Sequence, residues 1–165
     1  GAHALVHGFG LLYTIPSIAF FVLMPLILGT SIISPVNVLV ALTIYTMALM
    51  VRSGVDAFNA VPEHVVESSR ALGYTPARAF FTVELPLALP VLFAGIRVAT
   101  VANIAMVSVG AVIGVSSLGT LFTDGLARSI PAELITGVVL SAALAYLADA
   151  LLALTARRLT AWRTA

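Results

Sequence analysis

The chain has no cysteine and no lysine, and only 9% of its residues carry charge. Each absence narrows the chemistry. Without Cys there are no disulfides, thiolate metal sites or Cys nucleophiles. Without Lys there is no Schiff-base chemistry and no phosphate loop, which needs its Lys to hold ATP. The chain is therefore not expected to draw energy from ATP on its own. A net charge of +1 gives no electrostatic footprint for nucleic acid. Soluble domains carry roughly 25% charged residues. With 61% of 165 residues hydrophobic, there is more apolar surface here than one soluble core can hide.

The few charges are confined. Residues 1–51 have none, 86–123 have only Arg97, and 134–155 have only Asp149. A spanning helix needs about 20 apolar residues. The pattern predicts an all-α polytopic transmembrane helix bundle of about four spans, over residues 9–28, 36–50, 87–108 and 133–154. Residues 1–165 then form a single domain. Pro16 and Pro25 are expected to bend or end the first span, and 29–35 (GTSIISP) has the residues of a turn. The run 86–123 is 38 residues long, nearly two spans, with Gly110, Gly114 and Gly119 in its second half. A Gly-rich segment that dips into the protein without crossing is expected there, shielded from lipid. No basic region precedes the first apolar run, so a signal peptide is a poor reading. An N-terminal truncation is expected instead.

Residues 52–84 form a polar interlude holding Arg52, Asp56, Glu63, Glu67, Arg70, Arg78 and Glu84. Pro62 suits the first turn of a short helix over 63–72, closed by Gly73, and Thr75-Pro76 suits the start of a second over 77–85. Cytoplasmic flanks carry the excess of Arg. The interlude has three Arg and the C-terminal tail has Arg157, Arg158 and Arg163, whereas 29–35 has none and 109–132 only Arg128. Both the interlude and the C-terminus are thus expected inside, with Trp162 as an interfacial anchor.

Residues 67–86 read ESSRALGYTPARAFFTVELP. This resembles the cytoplasmic signature loop of binding-protein-dependent ABC importer permeases: Glu-Ala-Ala, three residues, Gly, nine residues, Ile, any residue, Leu-Pro. Glu67, Gly73, Leu85 and Pro86 fall at that spacing, with Ser68 and Ser69 for Ala and Val83 for Ile. Residues 13–29 (YTIPSIAFFVLMPLILG), 83–101 (VELPLALPVLFAGIRVATV) and 109–126 are similar to the osmoprotectant group of these permeases. In the last stretch the group has Gly-Ala-Gly-Gly-Leu-Gly, where this chain has Gly114, Val115, Ser116, Ser117, Leu118 and Gly119.

The resemblance implies a permease subunit in the bacterial inner membrane, working as a like or unlike dimer. Its partners are two ATPase subunits, an extracytoplasmic solute-binding protein and membrane lipid. ATP is bound by the ATPase, and this chain carries no cofactor and no metal. Glu67, Ser68, Ser69, Gly73, Val83, Leu85 and Pro86 are implied as the ATPase-coupling element, a short helix pair. Gly110, Gly114, Leu118 and Gly119 are implied as a gate-like segment. The expected solute is a quaternary amine such as glycine betaine, choline or carnitine. Methionine or a phosphonate is the near alternative, and a channel or scaffold without an ATPase the distant one. A membrane hydrolase ranks last, since no Ser-His-Asp or metal-Glu arrangement is evident.

Other residues carry two readings each. A lone Glu67 is a solvated helix residue pairing with Arg70, while within the motif it reads as coupling. Arg97 is costly in a bilayer unless it faces protein or water. It is either a pathway or interior-facing residue or half of an ion pair with Asp149, whose place toward the cytoplasmic end argues against the pair. Thr100, Asn103 and Ser108 either line a solute path or bond neighbouring helices. His3 with His7, and Glu63, His64 and Glu67, lack the geometry of a metal site.

Overall fold

The computed structural model describes residues 17–160, with side chains from Val22 onward. Its helices are α1 (Ser17–Leu28), α2 (Pro35–Asn59), α3 (Glu63–Ala71), α4 (Pro76–Ala79), α5 (Leu85–Val109), α6 (Thr120–Ala127) and α7 (Pro131–Leu159), and no strand occurs among the described residues. Three stretches are long and apolar enough to cross a membrane: Pro35–Asn59, Pro76–Ile113 and Pro131–Leu159. Helix α1 is the described part of the first expected span. Residues 9–16, including Pro16, lie outside the described residues, as do His3, His7, Trp162 and Arg163.

The helix boundaries differ from expectation for identifiable reasons. Helix α2 starts on Ser34-Pro35, with Pro at its first turn. It then continues through Arg52 and Asp56 to Asn59, so the polar interlude begins inside a helix. Pro62 caps α3 from outside rather than sitting in its first turn. The expected second short helix is not separate. Thr75 caps α4, its hydroxyl accepting from the Arg78 amide at 3.4 Å, with Pro76 in the first turn. From there the chain is helical for 38 residues to Ile113. Pro86 fails to end it because a π turn, Phe80–Glu84, intervenes just before. In a regular α-helix the Pro86 ring would clash with the Thr82 carbonyl. The π register, with the Leu85 amide donating to the Phe80 carbonyl, takes up that misfit.

At 1.5 Å per residue those 38 residues reach about 57 Å, well beyond a hydrocarbon core of about 30 Å. The helix breaks at Gly114 (φ 87), and α6, eight residues long, packs on α7 and is too short to cross. The described bundle has α5 in the middle, packed on α2 at one side and α7 at the other, with α1 on α2. Small residues make these crossings: Ala41, Ala48, Ala57, Ala79, Ala88 and Ala99 are all buried. Where lipid supplies no hydrophobic drive between helices, close approach is what holds them.

One buried polar residue was missed at the level of sequence. Asn37 is fully buried, accepts from the Thr30 hydroxyl, and donates to the Ser31 carbonyl at 2.8 Å. It locks the α1–α2 turn onto the first turn of α2. Asn37→Ala should remove that bond while the Ser31 carbonyl keeps the Ser34 amide, and cost about 0.5–1.5 kcal/mol. Thermal unfolding in detergent measures this; an unchanged midpoint would mean the turn is held by something else.

Candidate functional site: the loop helix and the polar pairs of the spans

The signature residues occupy α3 and the foot of the long helix. Glu67 and Ser68 face outward, and Glu67 makes no ion pair with Arg70. Ser69 is buried, its hydroxyl donating to the Val66 carbonyl at 2.7 Å, while Ser68 donates to the His64 carbonyl at 2.7 Å. Both hydroxyls are satisfied within the helix, so Ser fits where a small apolar residue would.

Gly73 follows the helix at φ 83, with the Gly73 amide donating to the Arg70 carbonyl (2.9 Å) and the Tyr74 amide to the Ser69 carbonyl (3.2 Å). These two bonds form a Schellman cap. Space is not the constraint at Gly73: an added Cβ would meet nothing within 4 Å. The left-handed conformation is the constraint.

Aromatic contacts brace the loop against α2. Phe58 stacks on Phe80 with centroids 5.5 Å apart, and Phe80 meets Phe81 edge-on at 5.1 Å. The Arg78 guanidinium lies 4.5 Å from the centre of the Tyr74 ring. Leu72, beside the bend, is 78% exposed, and Phe81, in the π turn at the foot of the long helix, is 66% exposed. Val83, Leu85 and Pro86 are half-buried on the long helix, and Val83 and Pro86 line a shallow groove with Thr82 and Leu87.

In the spans, Arg97 and Asp149 form a bidentate pair, Nε to Oδ1 and Nη2 to Oδ2, each at 2.7 Å. The objection from depth fails. Arg97 comes 12 residues after Leu85 and Asp149 ten before Leu159. In antiparallel neighbours those offsets, about 18 and 15 Å, bring the two to similar height. Asn103 donates to the Thr46 hydroxyl of α2 at 2.7 Å, leaving its Oδ1 buried without a partner. Ser108 lies 3.5 Å from Ser141 of α7, and Thr100 donates to the Ile96 carbonyl of its own helix. Three of the four span residues thus reach across to a neighbouring helix, and none of the four meets another.

The Gly-rich segment is tightly packed. Gly110 and Gly119 are buried, Leu118 is half-buried and Gly114 is exposed. A Cβ at Gly119 would fall 1.9 Å from the Ser108 carbonyl oxygen, so backbone meets backbone there.

Residues 8–161 match the family described as the binding-protein-dependent transport system inner membrane component. The chain belongs to this family. Among relatives of this permease, an osmoprotectant import permease protein of Salmonella typhimurium is 40% identical over 86% of this chain and 67% of its own length. A glycine betaine/carnitine/choline transport system permease protein of Bacillus subtilis is 31% identical over 97% of this chain and 72% of its own. An ergothioneine transport permease/ergothioneine binding protein of Helicobacter pylori is 36% identical over 84% of this chain, but the match spans only 24% of that longer protein. Among solved structures, an inward-facing form of the MetNI methionine ABC transporter superposes with TM-score 0.78 at 27% identity, covering 96% of this chain and 74% of that one.

The Gly73 geometry gives a graded prediction. A left-handed conformation costs an ordinary residue roughly 1–2 kcal/mol, more for a β-branched one and less for Asn. Gly73→Val should therefore lower the unfolding midpoint clearly and Gly73→Asn only slightly. Equal midpoints for the two variants would show that φ is not what selects glycine.

Proposed function

We propose that this permease carries a small quaternary-amine osmoprotectant, such as glycine betaine, choline or carnitine, across the bacterial inner membrane, driven by a separate ATPase subunit. Solute is delivered by an extracytoplasmic binding protein and passes between two permease subunits. The support for the solute is the similarity, at 31–40% identity, to permeases named for osmoprotectants and for glycine betaine, carnitine and choline. A second solute class, methionine, has weaker support from the 27% identical structural neighbour.

The observation that carries the coupling role is the α3 bend. Leu72, at the Schellman-capped end of α3, and Phe81, at the foot of the rod, are both exposed apolar side chains. Helix α3 packs on the foot of the 38-residue rod, and that foot is stacked onto α2 through Phe80 and Phe58. A contact made on α3 is thereby tied to helices that run through the membrane. Exposed apolar residues in a polar loop are the chemistry of a protein contact, here with the ATPase. Glu67, Ser68, Ser69, Gly73, Val83, Leu85 and Pro86 constitute the coupling element. Gly110, Gly114, Leu118 and Gly119 form the gate-like segment. The loop and C-terminus face the cytoplasm, and ATP is hydrolysed only by the partner.

Uptake of labelled glycine betaine, choline, carnitine, ergothioneine and methionine by the reconstituted full complex tests the solute. Uptake of methionine alone would reverse the assignment. Leu72→Asp tests the coupling, because this exposed side chain contributes little to folding. Membrane levels should stay normal while solute-stimulated ATP hydrolysis falls about tenfold, the loss expected when a charge enters an apolar contact. Unchanged stimulation would remove the loop from the coupling role. For orientation, thiols introduced by Asp56→Cys or His64→Cys should react only from the cytoplasmic side, and the absence of native Cys keeps that labelling clean.

A further inference from the structure

The one ion pair among the described residues lies in the spans and is not sealed from its surroundings. The side chains of Arg97 and Asp149 remain 40% and 30% exposed. They border a wide-open cavity of about 560 Å³ on the face of the bundle, whose other lining residues are Ala94, Val98, Val101 and Ala102, with Val98 63% exposed. The wall is therefore small and apolar, and the only charges on it are one of each sign.

The pair is also not saturated. A guanidinium offers five N–H donors and a carboxylate about four acceptor positions. Asp149 takes two of the donors, from Nε and Nη2, which leaves three unused. On the carboxylate about two acceptor positions stay open by the same count. Both partners thus keep unused capacity, and the cavity they border gives a solute room to reach it. Charges at such depth need protein, water or a polar occupant beside them.

From this juxtaposition we propose that Arg97, Asp149 and the adjoining open cavity form a binding station on the membrane-spanning face of the permease for a zwitterionic solute. The solute carboxylate takes the free guanidinium N–H groups of Arg97, and its cationic nitrogen lies against Asp149. The assignment rests on the osmoprotectant reading above and narrows it. Glycine betaine, carnitine and ergothioneine each carry a carboxylate and a quaternary nitrogen, whereas choline carries only the cation.

Net charge sets the preference. The empty pair is neutral, and a zwitterion leaves it neutral. A lone cation would leave one uncompensated positive charge where the effective dielectric is low, and such a charge is poorly tolerated. The station therefore favours solutes with both charges over choline. The small side chains at 94 and 102 leave room for the methyl groups of a quaternary nitrogen, which makes no hydrogen bonds of its own.

The test uses the full permease assembled with its ATPase and binding protein in liposomes. Val101→Cys places the only thiol on the cavity wall, and its reaction with the small neutral reagent methyl methanethiosulfonate is timed. Saturating glycine betaine should slow the reaction about tenfold, as for a site nine-tenths occupied, and choline less than about twofold. Adding Arg97→Gln and Asp149→Asn should abolish the slowing. Equal protection by betaine and choline, or none by either, overturns the proposal without needing the charge variants to fold. So does protection that survives both neutralising substitutions. Wild-type uptake is measured in the same vesicles. Betaine uptake without protection means the station is wrong and the osmoprotectant reading stands. Protection without betaine uptake means the reverse.

Discussion

Close backbone approach on both sides of the long helix is the constraint on which the rest of this permease depends. Lipid solvates the apolar side chains of the spans, and in the isolated chain few of them are buried. Packing must then come from places where helices touch almost without side chains. At Gly95 an added Cβ would fall 2.5 Å from the Ser53 Cβ. At Gly119 it would fall onto a backbone carbonyl. These two contacts hold α2 and the Gly-rich segment against the same rod. The polar bridges, Asn103 to Thr46 and Arg97 to Asp149, add direction to contacts that van der Waals packing already sets.

Much of this was legible in the sequence because it depends on one-dimensional signals. Long uncharged runs give spans, and Glu67, Gly73 and Leu85-Pro86 at fixed spacing give the family. Gly73 was read as a helix terminator, and its φ of 83 bears that out. What was not legible depends on how two segments lie beside each other. The helix end at 50 was misplaced because charges at Arg52 and Asp56 mark a change of solvent, not of backbone; the helix continues to Asn59. The short helix over 77–85 and the span over 87–108 read as separate because periodicity cannot reveal a π turn that joins them through Pro86. The Arg97–Asp149 pair was argued against by depth because the last span was ended near 154, whereas its helix runs on to Leu159 and sets Asp149 deeper. Asn37 had one available signal, a polar residue just inside a helix after a turn rich in Ser and Thr. Its burial needed the three-dimensional turn to be seen.

The Gly-rich segment takes a meaning different from looseness. Gly119 is required by crowding, and α6 rests on α7 through close contacts at Gly125 and Gly137. A segment held this way moves with the helices it touches. Ser117 fits that picture, since it braces the turn by accepting from the Gly119 amide at 3.1 Å.

The π turn at the base of the rod has a further consequence, best expressed as angular phase. Successive α-helical residues are about 100° apart, so Ala88, Gly95 and Ala99 fall within about 40° of one another and share a face. In an uninterrupted α-helix Ala79 would point about 180° from Ala88, to the opposite side. One inserted residue turns everything below it by about 100°. That brings Ala79 to about 80° from Ala88, and the structure buries both, at 1% and 0% exposure. The extra residue thus re-aims the foot of the rod, so that one continuous helix keeps a small buried residue both in the membrane and at the loop.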